Sequence, residues 1–306
     1  MSLLDKAVSF ALPAVPKPIV GFFSKRYIAG SSRDDAFRVV RELSREGAIA
    51  TLDILGEFIS SREQADATTA AYVDLIRQLA VEKFPDANAS VKLTGLGLLL
   101  DKAYCLENMR RLVRAAAETN GFVRIDMEDA QCTDPTLGIY RALRAEFPGR
   151  VGVVLQARLR RTIDDVDALT GEPANFRLCK GIYLEPRGIA YTDAELIRSN
   201  FTLALERMFE RKAYVGIATH DERLVWEALR LIRRFGLTSA QYEFQMLLGV
   251  EEELRRILLN VGHRVRVYVP YGEEWYAYSV RRLRESPQIA GHAFRAMLRR
   301  RPTRTP

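Results

Sequence analysis

Eight short apolar or alternating runs recur along the chain, and each is followed by a stretch in which apolar residues return at three- and four-residue steps. The runs are ATLDIL (50–55), ASVKL (89–93), FVRIDM (122–127), VGVVLQA (151–157), NFRLCKG (175–181), AYVGIAT (213–219), YEFQML (242–247) and VRVYVP (265–270). Their shortness and β-branched content predict strands, whereas segments such as LENMRRLVRAAAET and DERLVWEALRLIRRFG predict amphipathic helices. Alternation of this kind requires parallel strands joined by right-handed crossovers. Eight such units in about 260 residues have the dimensions of an α/β fold of the (β/α)8 TIM-barrel type. A doubly wound sheet is the competing architecture, but no GxGxxG follows the first run. No internal repeat, low-complexity linker or Gly/Ser-rich hinge marks a boundary. The chain therefore reads as one domain over 1–306, with extra N-terminal helices in an arm at 1–40, the barrel at 41–298 and a basic tail at 299–306.

Composition supports this picture: 48% of the 306 residues are apolar and 28% are charged, as in a well-filled globular protein. The formal charge of +7 is unevenly spread. Residues 281–306 hold eight of the 46 basic residues and one of the 39 acidic ones, which leaves 38 against 38 in the rest of the chain. A positively coated body is excluded, and with it the simplest nucleic-acid reading of the basic isoelectric point. Cys105, Cys132 and Cys179 form neither a CxxC pair nor a Cys-His cluster, which argues against a disulfide framework and for a reducing compartment. The apolar N-terminal stretch is interrupted by Pro13, Pro16, Lys17 and Pro18, far short of the roughly 20 continuous apolar residues of a membrane span. It is expected to be a packed helical arm.

In a parallel barrel the chemistry sits at the C-terminal ends of the strands, so the polar residues there are the ones to collect. They are Asp53, Lys92, Asp126, Gln156, Arg177, Lys180, Thr219, His220, Asp221, Gln245 and Tyr268. Any one of them is ordinarily a satisfied structural group. Polar residues at almost every strand end instead point to a polar pocket at one barrel mouth.

After the last run, Tyr278, Arg281, Arg282 and Glu285 stand at i, i+3, i+4 and i+7, along one face of a helix. An ordinary solvated stripe with an Arg281–Glu285 pair is the bland explanation. Two adjacent guanidinium groups beside a pocket call for an anionic partner, however, and a substrate carboxylate matches their fork. Tyr183, Tyr268, Tyr271 and Tyr278 add aromatic walls. No nucleophile-elbow Ser, HExxH or set of His ligands is present, so Ser-triad and His-bound metal hydrolysis are unsupported, and no metal is expected. Redox chemistry on an organic cofactor remains open, as does Schiff-base chemistry at Lys92 or Lys180.

At these residues the chain resembles the proline dehydrogenase family, in its short monofunctional bacterial form. The matching segments are VKLTGLGL (91–98), RIDMED (124–129), LQARLRRT (155–162), RLCKGIYLEP (177–186), IATHD (217–221), YEFQMLLG (242–249) and YVPYGEEWYAYSVRRLRE (268–285), the last containing the YxxRRxxE pattern from Tyr278 to Glu285. The resemblance implies a distorted barrel that carries FAD, oxidises L-proline to (S)-1-pyrroline-5-carboxylate and passes electrons to a membrane quinone. This is the first step of proline degradation, and a separate 1-pyrroline-5-carboxylate dehydrogenase would take the product. It implies that Arg281, Arg282 and Lys92 bind the proline carboxylate. Tyr183, Leu247, Tyr268 and Tyr278 would enclose the ring, with Asp126 as the pocket carboxylate and Glu285 closing the helix motif. Gln156, Arg177, Lys180, Gly181, Thr219 and His220 would contact the flavin, Arg177 near its reactive nitrogen. Two departures stand out: Ile182 replaces a frequent Ala, and Cys179 a frequent Val. A cytoplasmic location, with peripheral contact at the inner face of the membrane through the basic tail, follows from the quinone expectation.

Overall fold

The computed structural model describes Ser24 and residues 26–56, 59–84, 86–169, 174–276 and 278–279. Helix α1 (Arg33–Arg45) precedes β1 (Ile49–Ile54), α2 (Arg62–Glu82), β2 (Asn88–Val91), α3 (Lys102–Glu118), β3 (Val123–Ile125), α4 (Ala130–Glu146) and β4 (Val151–Gln156). There follow α5 (Thr162–Leu169), β5 (Asn175–Cys179), α6 (Ala194–Glu210), β6 (Tyr214–Ala218), α7 (Glu222–Phe235), β7 (Tyr242–Leu247), α8 (Glu252–Asn260) and β8 (Val265–Tyr271). Neighbouring strands are parallel throughout, and β8 returns to pair with β1, Ile49 opposite Arg266 and Ile54 opposite Tyr271. The result is the closed (β/α)8 barrel expected from the alternation. The tail at 299–306 and most of the arm at 1–40 lie outside the described residues, and α1 runs across position 40.

Local chemistry sets the helix ends. Ser32 and Asp35 form a reciprocal capping box at the start of α1. Asp101 accepts from the Ala103 and Tyr104 amides to start α3, and Asp193 caps α6 in the same way. Helix α7 ends at Gly236 in the left-handed conformation. Its N-cap residue, Asp221, makes no side-chain cap bond, because its carboxylate is engaged elsewhere.

At the barrel mouth the hydrogen-bonded ladders stop short of the apolar runs. The runs extend to 93, 127, 181 and 219, whereas β2 ends at Val91, β3 at Ile125, β5 at Cys179 and β6 at Ala218. The chain bends there to set Lys92, Asp126, Lys180 and Thr219 on the rim. Lys92 leads into a 3-10 turn over Leu93–Leu96, and Gly181 adopts φ +91°, a conformation natural only to glycine.

The strands carry two unlike faces. Outward residues such as Leu52, Val91, Ile125, Val153, Phe176, Ile217, Phe244 and Val267 are buried against the helices and form the main apolar core. The intervening positions point inward, and a large share of them are buried polar or charged: Thr51, Asp53, Ser90, Arg124, Gln156, Arg177, Glu243, Gln245 and Arg266. Barrel interiors are usually filled by branched aliphatics. Here the filling is a set of hydrogen-bonded charges, and glycines make room for it. A Cβ on Gly152 would lie 2.3 Å from Arg124 Nη1, and one on Gly216 would lie 2.3 Å from Gln245 Nε2.

Candidate active site

Five side chains from different strands meet at the end of the barrel where β1, β2, β3, β5 and β8 open. Lys92 Nζ donates to Asp53 Oδ2 at 2.9 Å and to the Tyr268 hydroxyl at 3.1 Å, and lies 3.6 Å from Asp126 Oδ2. The Tyr268 hydroxyl donates in turn to Asp126 Oδ2 at 2.9 Å. Asp126 Oδ1 accepts from Arg177 Nη1 at 2.6 Å and from Ser90 Oγ at 2.7 Å. Arg177 also donates from Nη1 to Ser90 Oγ at 3.0 Å and from Nε to Gln245 Oε1. Its Nη2 makes no hydrogen bond among the described residues. The guanidinium carbon sits 5.4 Å from the centre of the Tyr268 ring, a cation–π contact.

The electrostatics of this group are set by burial and by its own charges. Burial, with Asp126 and Asp53 adding to it, pushes the Tyr268 phenol well above the ordinary tyrosine range, so it stays a neutral donor. Among the described residues two cations, Lys92 and Arg177, face two carboxylates, Asp53 and Asp126. Both lysines proposed as Schiff-base nucleophiles are tied to carboxylates, Lys92 to Asp53 at 2.9 Å and Lys180 to Asp221 at 3.1 Å. That arrangement suits an ammonium ion, not an amine nucleophile.

A second group occupies the ends of β4, β5 and β6. Gln156 Nε2 donates to the Glu128 carbonyl at 2.8 Å, and its Oε1 lies where a Cβ on residue 181 would meet it at 2.8 Å. Asp221 holds Lys180 and, at 2.8 Å, Arg198. Burial acts to raise the Asp221 carboxyl, yet these two cations hold it below its ordinary range. Thr219 Oγ1 accepts from the Asp221 amide at 3.1 Å. His220 Nε2 accepts from the Leu247 amide at 2.8 Å, which places any proton of the neutral ring on Nδ1. Arg158 donates from Nη1 to the Tyr183 carbonyl, while its Nε is buried with no partner among the described residues. Tyr183 and the 42% exposed Ile182 belong to the loop that follows β5.

Tyr278 packs against Ile28 and Leu55, with Trp275 alongside, and its hydroxyl is near enough to Tyr268 to contribute to the rise of that phenol. The remainder of its motif, Arg281, Arg282 and Glu285, lies outside the described residues. Several groups in the two clusters carry no signal at a strand end. Tyr72, mid-way along α2, donates to Asp53 Oδ1 at 3.1 Å; Arg198 comes from α6, and Ser90 lies inside β2. Glu243, Arg266 and Arg124 sit deeper in the barrel. The sequence signal for these three is a charge inside an otherwise apolar strand, as in VRI, YEF and VRV.

The family model described as "Proline dehydrogenase" matches residues 36–293. The proline dehydrogenase of Deinococcus radiodurans is 36% identical over 280 residues, covering 90% of each chain. Proline dehydrogenase 2 of Bacillus subtilis strain 168 is 33% identical over 275 residues, again covering 90% of each. Among solved structures, proline utilization A from Bdellovibrio bacteriovorus, inactivated by N-propargylglycine, superposes with a TM-score of 0.82 at 29% identity. This alignment covers 86% of the chain and 32% of that larger protein. Proline utilization A from Corynebacterium freiburgense shares the fold, with a TM-score of 0.76 at 22% identity over 95% of this chain and 34% of that one. With the closed barrel, the polar mouth and matches along nearly the whole length, the chain belongs to the proline dehydrogenase family.

Proposed function

We propose that the barrel mouth binds FAD and L-proline and converts proline to (S)-1-pyrroline-5-carboxylate, with electrons passing on to a quinone. The observation that carries this reading is the Arg177 guanidinium: it is fixed on three sides by Asp126, Ser90 and Gln245, with Nη2 left without a partner among the described residues. The second cluster fits a flavin dinucleotide in its donor chemistry. Arg158 offers a buried Nε–H with no partner among the described residues, Lys180 and Arg198 supply cations for a diphosphate, and Gly181 permits close approach of the backbone. When bound, FAD supplies the acceptor for the hydride that leaves proline C5.

Charge balance defines what the chain's own residues contribute. Lys92 and Arg177 are already answered by Asp53 and Asp126. A proline carboxylate therefore needs further cations, and Arg281 and Arg282 are assigned that part, with Lys92 donating a hydrogen bond. A cationic surrounding for the carboxylate disfavours the protonated amine and keeps the ring nitrogen's electron pair available. Tyr183, Leu247, Tyr268 and Tyr278 are assigned to the walls, and Glu285 to closure of the helix motif. Gln156, Lys180, Gly181, Thr219 and His220 are assigned to the flavin. Orientation of the ring is the main service of the protein.

The purified protein is expected to be yellow, and its flavin absorbance to bleach anaerobically on addition of L-proline but not D-proline. A colourless protein that cannot be reconstituted with FAD overturns the reading. Substituting Arg282→Met is expected to weaken binding of a non-reacting proline analogue by about 1.5–3 kcal/mol, roughly tenfold or more in Kd, for the lost charge-assisted bonds. Parent-like affinity would remove Arg282 from the clamp.

Among the described residues no helix is long and apolar enough to cross a membrane. A cytoplasmic enzyme is proposed, drawn to anionic lipid at the inner face of the membrane by the basic residues at 299–306, with its product taken by a separate 1-pyrroline-5-carboxylate dehydrogenase.

A further inference from the structure

Below Arg177 the hydrogen bonds continue down to the floor of the barrel. Gln245 accepts from Arg177 Nε with Oε1 and donates from Nε2 to Glu243 Oε1 at 2.5 Å. Glu243 Oε1 also accepts from Arg266 Nε at 2.6 Å, and its Oε2 accepts from Arg266 Nη2 at 3.1 Å and from the Tyr214 hydroxyl at 2.9 Å. Arg266 is fixed in turn by Nη1 bonds of 2.7 Å to the Ala50 and Asp86 carbonyls.

The orientation of the Gln245 amide is not a free choice. An arginine offers only donors and an ionised carboxylate only acceptors, so the carbonyl end must face Arg177 and the amino end must face Glu243. A flipped amide would set Nε2 against a guanidinium and Oε1 against a carboxylate. The glycine at 216 keeps the space clear, since a Cβ there would lie 2.3 Å from Nε2. Arg177, Gln245, Glu243 and Arg266 are buried, and Tyr214 is half-buried. Burial is the strongest single influence on the Glu243 carboxyl and would raise it, but the Arg266 charge together with the hydrogen bonds from Arg266, Gln245 and Tyr214 outweighs it and holds the group at about 2, so it remains an acceptor throughout the working range.

We propose that Gln245 is a positioning residue for Arg177, locked in a single amide orientation by the Glu243–Arg266 pair, so that the barrel floor sets where the positive charge sits at the reaction centre. The proposal rests on the reading of Arg177 as the residue that faces the bound flavin. Asp126 and Ser90 fix one end of the guanidinium; Gln245 fixes the Nε edge and therefore the direction of Nη2, which has no partner among the described residues.

Two substitutions in the flavin-loaded enzyme test it. Gln245→Met keeps the length and removes both hydrogen bonds. Gln245→Glu, when protonated, reproduces both, because the acid O–H donates to Glu243 and the carbonyl accepts from Arg177. For Gln245→Met we expect kcat to fall at least tenfold with KM for proline within threefold of the parent. The flavin midpoint potential should move to a more negative value, and the Arg177 Nε–H resonance should lose its slow exchange in nitrogen-15 NMR. For Gln245→Glu we expect activity and the protected resonance to return at low pH and to disappear as pH rises and the new acid ionises. The charged groups in contact with it are Glu243 on its own strand and Arg177 on β5, with Arg266 on β8 bonded to Glu243, Asp126 bonded to Arg177, and Arg124 on β3 near enough to Glu243 and Arg177 to feel their charge. A folded Gln245→Met protein with parent-like kcat and potential overturns the proposal, as does an unchanged Arg177 resonance. If Gln245→Met fails to fold, the pH response of Gln245→Glu decides: a pH profile matching the parent's refutes the positioning role. A protein without flavin would sink the functional reading instead, and the Arg177 resonance would still decide this one.

Discussion

Replacing Glu243 with leucine is expected to cost about 3–5 kcal/mol of folding free energy, the effect of leaving one half of a buried ion pair without the other. Glu243 and Arg266 have side chains only 2% and 6% exposed, and they share two hydrogen bonds, at 2.6 and 3.1 Å. Once the carboxylate is gone, Arg266 keeps its charge in the barrel interior with only carbonyl acceptors for Nη1. Arg124, already pushed down to about 9 by burial and by the Arg177 charge, also loses a nearby anion. A double variant, Glu243→Leu with Arg266→Met, should regain most of the loss, since an apolar pair costs no desolvation. Urea unfolding measures both. A single variant within 1 kcal/mol of the parent would mean that water reaches the barrel floor.

The same pair has a signature in pH. The Glu243 carboxyl is held at about 2 against an ordinary 4.5, so folding favours its ionised form. The corresponding stabilisation, about 3 kcal/mol, is complete above pH 4.5 and is lost as pH falls from there toward 2. Unfolding midpoints of the parent should therefore drop through that window, and the double variant should lack this part of the slope.

The second large effect is expected at the mouth. Asp126→Ala should lower kcat/KM for proline at least 10²-fold, the scale of loss when a reacting constellation is misplaced by about an ångström. Asp126 accepts from Arg177, Ser90 and Tyr268 and lies 3.6 Å from Lys92, so a single truncation releases four groups from β2, β5 and β8 at once. It also turns a balanced set of charges into one with a positive excess. Binding of the substrate anion should survive, and the loss should fall mainly on kcat. Ser90→Ala makes the comparison: it removes one hydroxyl and leaves the 2.6 Å Arg177–Asp126 contact in place, so its effect should stay below tenfold. Equal losses from the two variants would show that the pocket collapses as a whole.

The eight strands were legible because their outward faces are nearly continuous Val, Ile, Leu and Phe, and burial against helices demands that. Their ends were less so. Lys92, Asp126 and Lys180 extend the runs by composition, but they belong to turns whose geometry depends on what the neighbouring strand offers. The cluster at the mouth was legible where chemistry and position coincide, as at Asp126, Arg177 and Tyr268, which the fold brings together. Asp53, Asp221 and Gln245 stood out only as polar strand ends, because their roles lie in partners that topology alone supplies. Tyr72 and Arg198 gave no warning: each occupies a helical position that periodicity explains completely. The interior charges were visible as breaks in strand alternation, yet nothing in sequence order shows that Glu243 meets Arg266 and not Arg124.

The charged floor also bears on the order in which the barrel can form. Arg266 lies on the last strand, and its Nη1 bonds to Ala50 on the first, 216 residues earlier. While the ribosome has delivered only seven strands, Glu243 has no Arg266 and must keep its water. The interior then cannot dry, and an open sheet of seven strands gains little from curling. Expulsion of that water waits for the eighth strand to bridge the two ends of the sequence, which makes closure the slow, long-range event and final drying its companion. A barrel whose last strand carries the cation for its buried carboxylate gains little by half-folding.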